Sequence, residues 1–597
     1  MKQFLKFLFA SILGVFISLF LIFILFATII GTVISSSTKE KKVDISENSI
    51  LHLELNKQIK DKAGNNPFEN FDFSTFEDRT PISLRSLLEN INKAKLDDNI
   101  KGIYLNISNL NTSLSSIIEI RNALKDFKSS GKFIISYAED YGQSVYFLSS
   151  IANEVYLNPS GSVSYKGLSA TLMFFKDALE RLDIDMQVIR HGKFKSAVEP
   201  YLRNDMSEEN RLQYEELING IWDNQSKVIA ESRNIPIEKL KHIADSLLIR
   251  TADDALKYGF VDALLYEDQV TERLKELSEI SSDKKIKLVA LNKYNKVKLP
   301  MTIASKSREK WDAKDEIAVI YAEGEIVSGK GTHNNIGSTS LVDAIKKAKE
   351  SSKVKAILLR VNSPGGSALA SDIIWREVVL AKKEKPVIVS MGGLAASGGY
   401  YISCAADKIY AESSTLTGSI GVFGVIPNFG NFLSHKIGVH TDQVVTNTNA
   451  DGLTLSRPLN SIEKEMIQES IEHIYDDFTK KVAEGRGMSQ NDVNEIGEGR
   501  VWNGISAKRI GLVDEIGGIE DAITAAADLA ELDSYKIRVF PKAKSPWEDL
   551  ILNLEMDIKS KLYVSPFGRA ERYYENIKRV TESSGIYTRM PVDLIIE

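Results

Sequence analysis

Two stretches of this chain, SYAEDYGQSVYFLSSIANEVYLNP (residues 136–159) and SMGGLAASGGYYISCAADKIYAES (residues 390–413), resemble each other without a gap. IKGIYLNISNL, from residue 100, and VKAILLRVNSP, from residue 354, match at the same offset of 254 residues. Weaker matches continue in the same order through both halves. A duplicated domain is the simplest explanation of this pattern.

Each half has the pattern of an α/β domain. IKGIYLNI and GKFIISY in the first half, and VKAILLRV and KPVIVSM in the second, are short apolar runs typical of buried strands. SLSSIIEIRNALKDF and ALASDIIWREVVLAKK lie between them and have helical apolar spacing. The alternation predicts tandem α/β domains with parallel sheets.

A length of 597 residues is sufficient for about two to four domains. We expect five segments: an N-terminal anchor at 1–44, a first repeat at 45–285, a polar connector at 286–315, a second repeat at 316–540 and a tail at 541–597.

The N-terminal segment contains an uncharged apolar run from Phe7 to Ile34. A helix needs about 20 apolar residues to cross a bilayer, and no convincing signal-peptidase site ends the run. The run therefore predicts one retained transmembrane helix. Lysines flank it on both sides, so charge does not indicate its orientation.

The bulk composition excludes some function classes. A net charge of −6 gives no electrostatic basis for binding nucleic acid. Cys404 is the single cysteine, so the chain forms no internal disulfide and no cysteine-rich metal site.

Ser397 lies among glycines where a predicted strand ends and a helix begins. A helix start offers free N–H groups, and the glycines let another backbone approach closely. A second glycine pair, in RVNSPGGS (residues 360–367), ends the preceding strand, and parallel strands end at the same sheet edge. An exposed hydroxyl beside backbone donors suits acyl transfer. The alternative is a serine that only caps a tightly packed helix.

The repeat favours the chemical interpretation. At the 254-residue offset Ser397 aligns with Gln143, and SPGG aligns with NLNT. Glycines needed only for packing would be expected in both halves. The asymmetry indicates that the chemistry is retained in the second half.

A nucleophilic serine needs a base, and none of the seven histidines lies in a signature that pairs it with Ser397. A lysine serves when burial keeps it neutral. The best candidate is Lys195 in RHGKFKSAVEPYLRNDMS (residues 190–207), since the second half has no lysine at the corresponding place. The alternative for Lys195 is a solvated loop cation.

Four motifs in order, GKFKSAVEPYLRNDMS, RVNSPGGSALASD, SMGGLAASGGYYIS and STLTGSIGVFG, resemble the signal peptide peptidase SppA (protease IV) family in its long duplicated form. The resemblance covers roughly residues 45–540 and the anchor. It implies tandem ClpP/crotonase-like domains and a membrane serine endopeptidase that degrades cleaved signal peptides without a cofactor or metal. It also implies a homotetramer on the periplasmic face of a bacterial inner membrane, with signal peptides, other unfolded peptides and membrane lipid as partners.

The resemblance also implies roles for six residues. They are Ser397 as nucleophile, Lys195 as general base, Ser419 as the residue that orients the lysine, and Gly365, Gly366 and Gly398 as backbone oxyanion or substrate contacts.

Two other functions remain open. A crotonase-type acyl-CoA enzyme would share the fold, although the anchor and KSAVEP disfavour it. A non-catalytic membrane scaffold would share the duplication, although the intact Ser397 and Lys195 disfavour it.

Overall fold

The computed structural model describes most of the two predicted repeats. The described residues are 3–4, 6–7, 9–21, 24, 45–62, 71–72, 77–78, 80–298, 308–310, 312–332, 334–540 and 585–589. Within the predicted anchor, residues 9–21 are helical, and much of the remaining apolar run lies outside the described residues. In the described ranges, no helix has both the length and the apolar character needed to cross a bilayer.

The strands, in chain order, are β1 (Ser49–Leu53), β2 (Ile59–Lys60), β3 (Phe71–Asp72), β4 (Glu77–Asp78), β5 (Ile82–Ser83), β6 (Ile100–Asn106), β7 (Phe133–Tyr141), β8 (Glu154–Val163), β9 (Asp185–His191), β10 (Ala263–Leu264), β11 (Leu288–Ala290), β12 (Glu316–Glu323), β13 (Glu325–Val327), β14 (Asn335–Gly337), β15 (Val354–Ser363), β16 (Gly365–Ser367), β17 (Val387–Ala396), β18 (Lys408–Ala411), β19 (Leu416–Gly418), β20 (Val422–Asn428), β21 (Val501–Asn503), β22 (Glu515–Ile516), β23 (Lys536–Phe540) and β24 (Gly585–Arg589).

The α-helices, in chain order, are α1 (Leu84–Leu96), α2 (Leu114–Lys128), α3 (Gln143–Ser149), α4 (Lys176–Arg181), α5 (Glu199–Leu202), α6 (Glu208–Arg233), α7 (Ile237–Asp245), α8 (Ala252–Lys257), α9 (Glu267–Leu277), α10 (Leu291–Tyr294), α11 (Ser338–Glu350), α12 (Ala368–Lys382), α13 (Gly398–Tyr401), α14 (Ser461–Arg486), α15 (Gln490–Ile496), α16 (Gly504–Arg509) and α17 (Ile519–Leu529). A 3₁₀-helix covers Ser196–Val198 and a π-helix covers Phe432–Ile437.

Each half contains one sheet whose central strands are parallel. The first sheet has the order β10-β8-β7-β6-β1-β11, and all its pairings are parallel. The second has the order β21-β19-β17-β15-β12-β23, with β18 and β22 beside it, and only the β19–β21 pairing is antiparallel. These sheets confirm the expected tandem α/β architecture, and the four strands predicted from the apolar runs are β6, β7, β15 and β17.

Part of the predicted connector is integrated into the first repeat. β11 pairs with β1 in parallel, and Val289 and Tyr294 are buried. This part of the segment 286–315 therefore adds a strand, β11, and a short helix, α10, to the first repeat. Val289 and Tyr294 face the core, Leu288 is exposed, and the lysines around them give the segment its polar composition.

A third sheet joins the two halves. Its order is β14-β13-β16-β24-β20-β9, so β9 from the first half pairs with β20 from the second. The pairing is antiparallel and extends from Val422 opposite His191 to Asn428 opposite Asp185. This sheet places the chain that follows β9 beside the second repeat.

The repeats also share one core. Leu105 of the first half and Leu358 of the second belong to the same buried apolar cluster. Beside this cluster the fully buried Arg360 lies 2.8 Å from Asp61 and 2.6 Å from Glu119. Both carboxylates come from the first half, so this buried charge cluster fixes the docking of the repeats.

Candidate active site

The backbone holds Ser397 in a conformation that is rare for a residue with a side chain. Ser397 has φ 56° and ψ −115° between the last residue of β17 and the first residue of α13. Its N–H donates to the carbonyl of Gly418 at 2.8 Å, and its own carbonyl accepts from the N–H of Tyr401 at 2.8 Å. Strained backbone of this kind is typical of functional positions. The Ser397 side chain makes no capping bond to α13, so the helix-cap alternative was wrong.

Close backbone approaches explain two of the glycines. A Cβ on Gly399 would lie 2.7 Å from the carbonyl oxygen of Ser363, and one on Gly366 would lie 2.1 Å from that of Ile326. Gly366 also has φ 154°, which disfavours other residues. The Gly399 contact brings the turn before β16 against the start of α13, and the Gly366 contact lets β16 lie against β13.

Lys195 enters the second repeat through a short turn after β9. Gly192 makes this turn with φ 101°, and the N–H of Phe194 donates to the carbonyl of Glu498 at 3.0 Å. The 3₁₀-helix follows immediately. The Lys195 side chain is fully buried, so the alternative of a solvated loop cation was wrong.

A buried carboxylate fixes the segment that follows the lysine. Glu199 accepts hydrogen bonds from the hydroxyl of Ser207 at 2.5 Å and from the side-chain amide of Asn210 at 2.9 Å. Ser207 is also the N-cap of α6. These hydrogen bonds hold residues 195–210 against the start of the long helix α6. The Glu199 carboxylate is therefore hydrogen-bonded to Ser207 and Asn210 and not to Lys195.

Lys195, Ser397 and Ser419 converge from three parts of the chain. Lys195 Nζ lies 2.9 Å from Ser397 Oγ, 3.0 Å from Ser419 Oγ and 3.1 Å from the Ser419 carbonyl oxygen. A neutral amine has two N–H donors and one lone pair. The two oxygens of Ser419 match the donors, and the Ser397 hydroxyl matches the lone pair.

The surroundings of Lys195 favour this neutral form. Burial lowers the pKa of Lys195 well below its ordinary value, and no carboxylate opposes that effect in the described part of the chain. The ring of Phe423 lies with its centre 5.9 Å from Nζ. An amine without a counter-ion in apolar surroundings loses its proton readily.

The glycine turn supplies backbone donors near the serine. The Gly365 N–H donates to Ser363 Oγ at 3.2 Å, and Gly366 follows it in β16. Gly398 begins α13, and α13 packs against β16. The predicted oxyanion contacts therefore come from elements that adjoin Ser397.

Two further glycines surround the lysine and were not predicted. A Cβ on Gly499 would lie 2.7 Å from the Lys195 backbone N, and one on Gly421 would lie 3.2 Å from Lys195 Cδ. Gly499 has φ 83°, and its N–H donates to the carbonyl of Ile420 at 2.7 Å. Neither glycine carries a reactive group, so only its spacing to the other motifs could have indicated it.

Other candidate groups lie apart from this site. His191 binds Glu472 through Nδ1 at 2.6 Å, and no described histidine hydrogen-bonds to Ser397. Cys404 is fully buried, and burial raises the pKa of its thiol to about 12. Among the described residues, no cluster of three or more His, Cys, Asp or Glu side chains could hold a metal ion.

Comparison with known proteins agrees with the duplication. The model of peptidase family S49 matches residues 126–281 and 380–533, and the Clp protease model matches residues 307–416. Protease 4 of Haemophilus influenzae is 38% identical over 457 residues, which cover 75% of this chain and 73% of that protein. The chloroplastic serine protease SPPA of Arabidopsis thaliana is 34% identical over 519 residues, covering 85% and 74%. The putative signal peptide peptidase SppA of Enterococcus faecium is 41% identical over 180 residues, covering 30% and 52%.

Two parallel-sheet repeats with a serine held at a strand end are consistent with these matches and define a serine peptidase of ClpP-like fold. The chain belongs to peptidase family S49, and its duplicated domains are those of the SppA-type protease IV.

Proposed function

We propose that this chain is a membrane-anchored serine endopeptidase that degrades cleaved signal peptides, with Ser397 as nucleophile and Lys195 as general base. The observation that carries the proposal is the 2.9 Å contact between Lys195 Nζ and Ser397 Oγ, both fully buried. A serine hydroxyl beside a desolvated amine is the arrangement that a Ser–Lys mechanism needs.

The reaction begins with neutral Lys195, which accepts the hydroxyl proton as Ser397 Oγ attacks the peptide carbonyl carbon. The backbone N–H groups of Gly398 and of Gly365 or Gly366 stabilise the oxyanion of the tetrahedral intermediate. The Lys195 ammonium then protonates the departing amine, and the acyl group remains on Ser397 as an ester. Lys195 next takes a proton from water, and the resulting attack releases the acid and restores the serine.

Ser419 is a positioning residue in this mechanism. Its hydroxyl and its carbonyl both accept from Lys195 Nζ, which directs the amine lone pair at Ser397. Ser419 also has a positive φ of 53°, so the backbone turn that brings both oxygens to the amine is itself constrained.

The substrate class and location are proposed on other grounds. The Enterococcus faecium relative is named as a putative signal peptide peptidase, and the apolar run Phe7–Ile34 is long enough for an anchor. From the family resemblance of the motifs, we propose that the body lies on the periplasmic face of a bacterial inner membrane and forms a homotetramer. We propose repeat bounds of 45–285 and 316–540, with β11 and α10 of the intervening segment packed on the first repeat.

The test is cleavage of a synthetic signal peptide by the full chain in detergent, comparing wild type with Ser397→Ala and Lys195→Ala. Both variants should lose at least about 100-fold in kcat/KM. The matched control is Lys193→Ala, because Lys193 is exposed and pairs with Glu498 at 3.3 Å. Its kcat/KM should stay within about twofold of wild type, as for an exposed ion pair.

Activity that survives Lys195→Ala would refute the assignment of the base. Hydrolysis of acyl-CoA without peptide cleavage by wild type would favour the crotonase-type alternative. A wild type that cleaves neither substrate and does not react with a serine-directed phosphonate would favour the scaffold.

A further inference from the structure

The segment 498–500, which precedes β21, joins the loop of the lysine to the turn of Ser419. The Glu498 carbonyl accepts from the N–H of Phe194 at 3.0 Å. Two residues later, the Arg500 carbonyl accepts from the N–H of Ser419 at 2.7 Å. The backbone of this segment therefore contacts the first repeat beside the base and the second repeat beside the residue that orients the base.

The Arg500 side chain packs between two aromatic rings. Its guanidinium carbon Cζ lies 4.8 Å from the centre of the Phe194 ring and 4.2 Å from the centre of the Trp502 ring. Its Nη2 donates to Glu216 Oε2 of α6 at 2.5 Å. Phe194 and Glu216 belong to the first repeat and Trp502 to the second, so one side chain holds the two repeats together next to the base.

Stacking holds Arg500 in addition to its ion pair. The Arg500 side chain is 18% exposed, and its Nε is buried without an acceptor in the part of the chain that the structure describes. A buried donor without an acceptor lowers stability, and an apolar side chain would fill the same space without that cost. A planar guanidinium, however, packs flat on aromatic rings and still forms an ion pair at its edge. The position therefore favours the shape of arginine over simple packing.

The charged groups beside the lysine segment leave burial as the determinant of the Lys195 pKa. Six such side chains adjoin this segment or the Arg500 guanidinium, and each has a hydrogen-bond or ion-pair partner: Arg190, His191, Lys193, Glu199, Glu216 and Glu498. Burial is the cause that lowers the pKa of Lys195. Exclusion of water therefore keeps the amine neutral, and any loosening of the lysine segment would weaken that effect.

We propose that Arg500 is a positioning residue for the base. Stacked between Phe194 and Trp502, its guanidinium holds the lysine segment against the Ser419 turn and keeps water from the amine. The proposal rests on the function proposed above, because that function assigns the role of base to Lys195. Arg500 acts through Lys195 and not on the substrate.

The decisive variant is Arg500→Ala in the full chain. Without the stacked plane the amine is less well aimed, so kcat for a fluorogenic peptide should fall about tenfold while KM stays within about twofold of wild type. Water that reaches Lys195 raises its pKa towards the ordinary value, and activity requires the neutral amine. The acidic limb of the pH profile should therefore move at least about 0.5 units to higher pH. A residue with only a structural role would lower stability without moving this limb.

Two further variants complete the test. Arg500→Lys keeps the charge and loses the plane, so kcat should fall at least about threefold and the limb should move the same way; this variant decides alone if Arg500→Ala does not fold. The matched control is Arg538→Ala, because Arg538 of β23 also combines an ion pair, with Glu316 at 3.1 Å, and a ring contact, with Phe540 at 5.4 Å. Its kcat and its acidic limb should match those of wild type. An acidic limb that stays in place in the Arg500 variants, or a fully active Arg500→Lys, would overturn the proposal.

Chemical labelling separates this proposal from the proposed function. The rate at which a serine-directed phosphonate labels Ser397 depends on the base and not on a peptide substrate. In Arg500→Lys the acidic limb of this rate should move to higher pH, which would support the proposal even if no form of the protein cleaved a signal peptide. Equal pH dependence in wild type and Arg500→Lys would overturn the proposal even if wild type is an active protease. A wild type that is not labelled would overturn the assignment of the base and this proposal with it.

Discussion

Ser419→Ala tests the geometry of the lysine most directly. The substitution removes one of the three oxygen contacts of Lys195 Nζ, the bond to Ser419 Oγ at 3.0 Å, and leaves the Ser419 carbonyl at 3.1 Å. Both protonation states of the lysine lose an acceptor. The ammonium loses more, since a hydrogen bond to a charged group contributes about 1.5–3 kcal/mol, against about 0.5–1.5 kcal/mol for a neutral pair.

The difference of about 1 kcal/mol between the two states corresponds to about 0.7 pKa units. The pKa of Lys195, already lowered by burial, should therefore fall further. Under the proposed mechanism activity requires the neutral amine, so activity is lost as pH falls through this pKa. In Ser419→Ala the acidic limb of the pH profile should move about 0.7 units to lower pH. At the plateau, kcat/KM should drop about fivefold because the amine is less well aimed.

The assay is the pH dependence of kcat/KM for a fluorogenic peptide, measured beside two controls. Ser419→Gly removes the same hydroxyl and relieves the positive φ of 53°, so equal profiles for Ala and Gly would assign the effect to the hydroxyl. Ser403→Ala removes another buried hydroxyl, which donates to Gly399 at 2.7 Å, and should leave the acidic limb in place. An acidic limb that stays fixed or moves to higher pH in Ser419→Ala would refute the reasoning.

Two further predictions concern packing. Arg360→Leu leaves two buried carboxylates without their partner and should lower the free energy of unfolding, measured by urea titration, by about 3–5 kcal/mol. The control Lys508→Leu breaks an exposed ion pair and should change the free energy of unfolding by less than about 1 kcal/mol. Equal effects of the two substitutions would contradict the role of the buried cluster. Gly499→Ala places a Cβ 2.7 Å from Lys195 and should reduce kcat/KM at least about tenfold. The control is Gly487→Ala, because Gly487 also has a positive φ, 63°, but a Cβ there would meet nothing within 4 Å in the described part of the chain apart from its own neighbours in sequence. It should lower stability by about 1 kcal/mol and leave kcat/KM unchanged. Full activity in Gly499→Ala would show that the lysine tolerates displacement.

The strands and helices of both repeats could be predicted because their signals are local. Apolar runs and helical spacing are properties of neighbouring residues, and the constant offset let one half support the interpretation of the other. The position of Ser397 between a strand and a helix followed from the same local pattern. The roles of Lys195 and Ser419 came from the family resemblance, since spacing alone does not select one lysine among 75 basic residues.

The features that escaped prediction depend on contacts between distant segments. Position 499 needs a glycine because the backbone of Lys195 packs directly against it. The residues next to Gly499 in the sequence give no indication of this contact. β11 was hidden because three residues are too few to show a period. The position of β24 depends on two strand edges that exist only after the repeats have docked.

The two side chains at the centre of the site are 202 residues apart in the chain and come from different repeats. While the protein is being synthesised, its first half carries an amine with no hydroxyl to activate. A single ancestral repeat with this mechanism would have needed both the amine and the hydroxyl, which the two halves now supply separately. Under the proposed mechanism, loss of either repeat should therefore abolish activity, and a nascent chain should be inactive until its second half has folded onto the first.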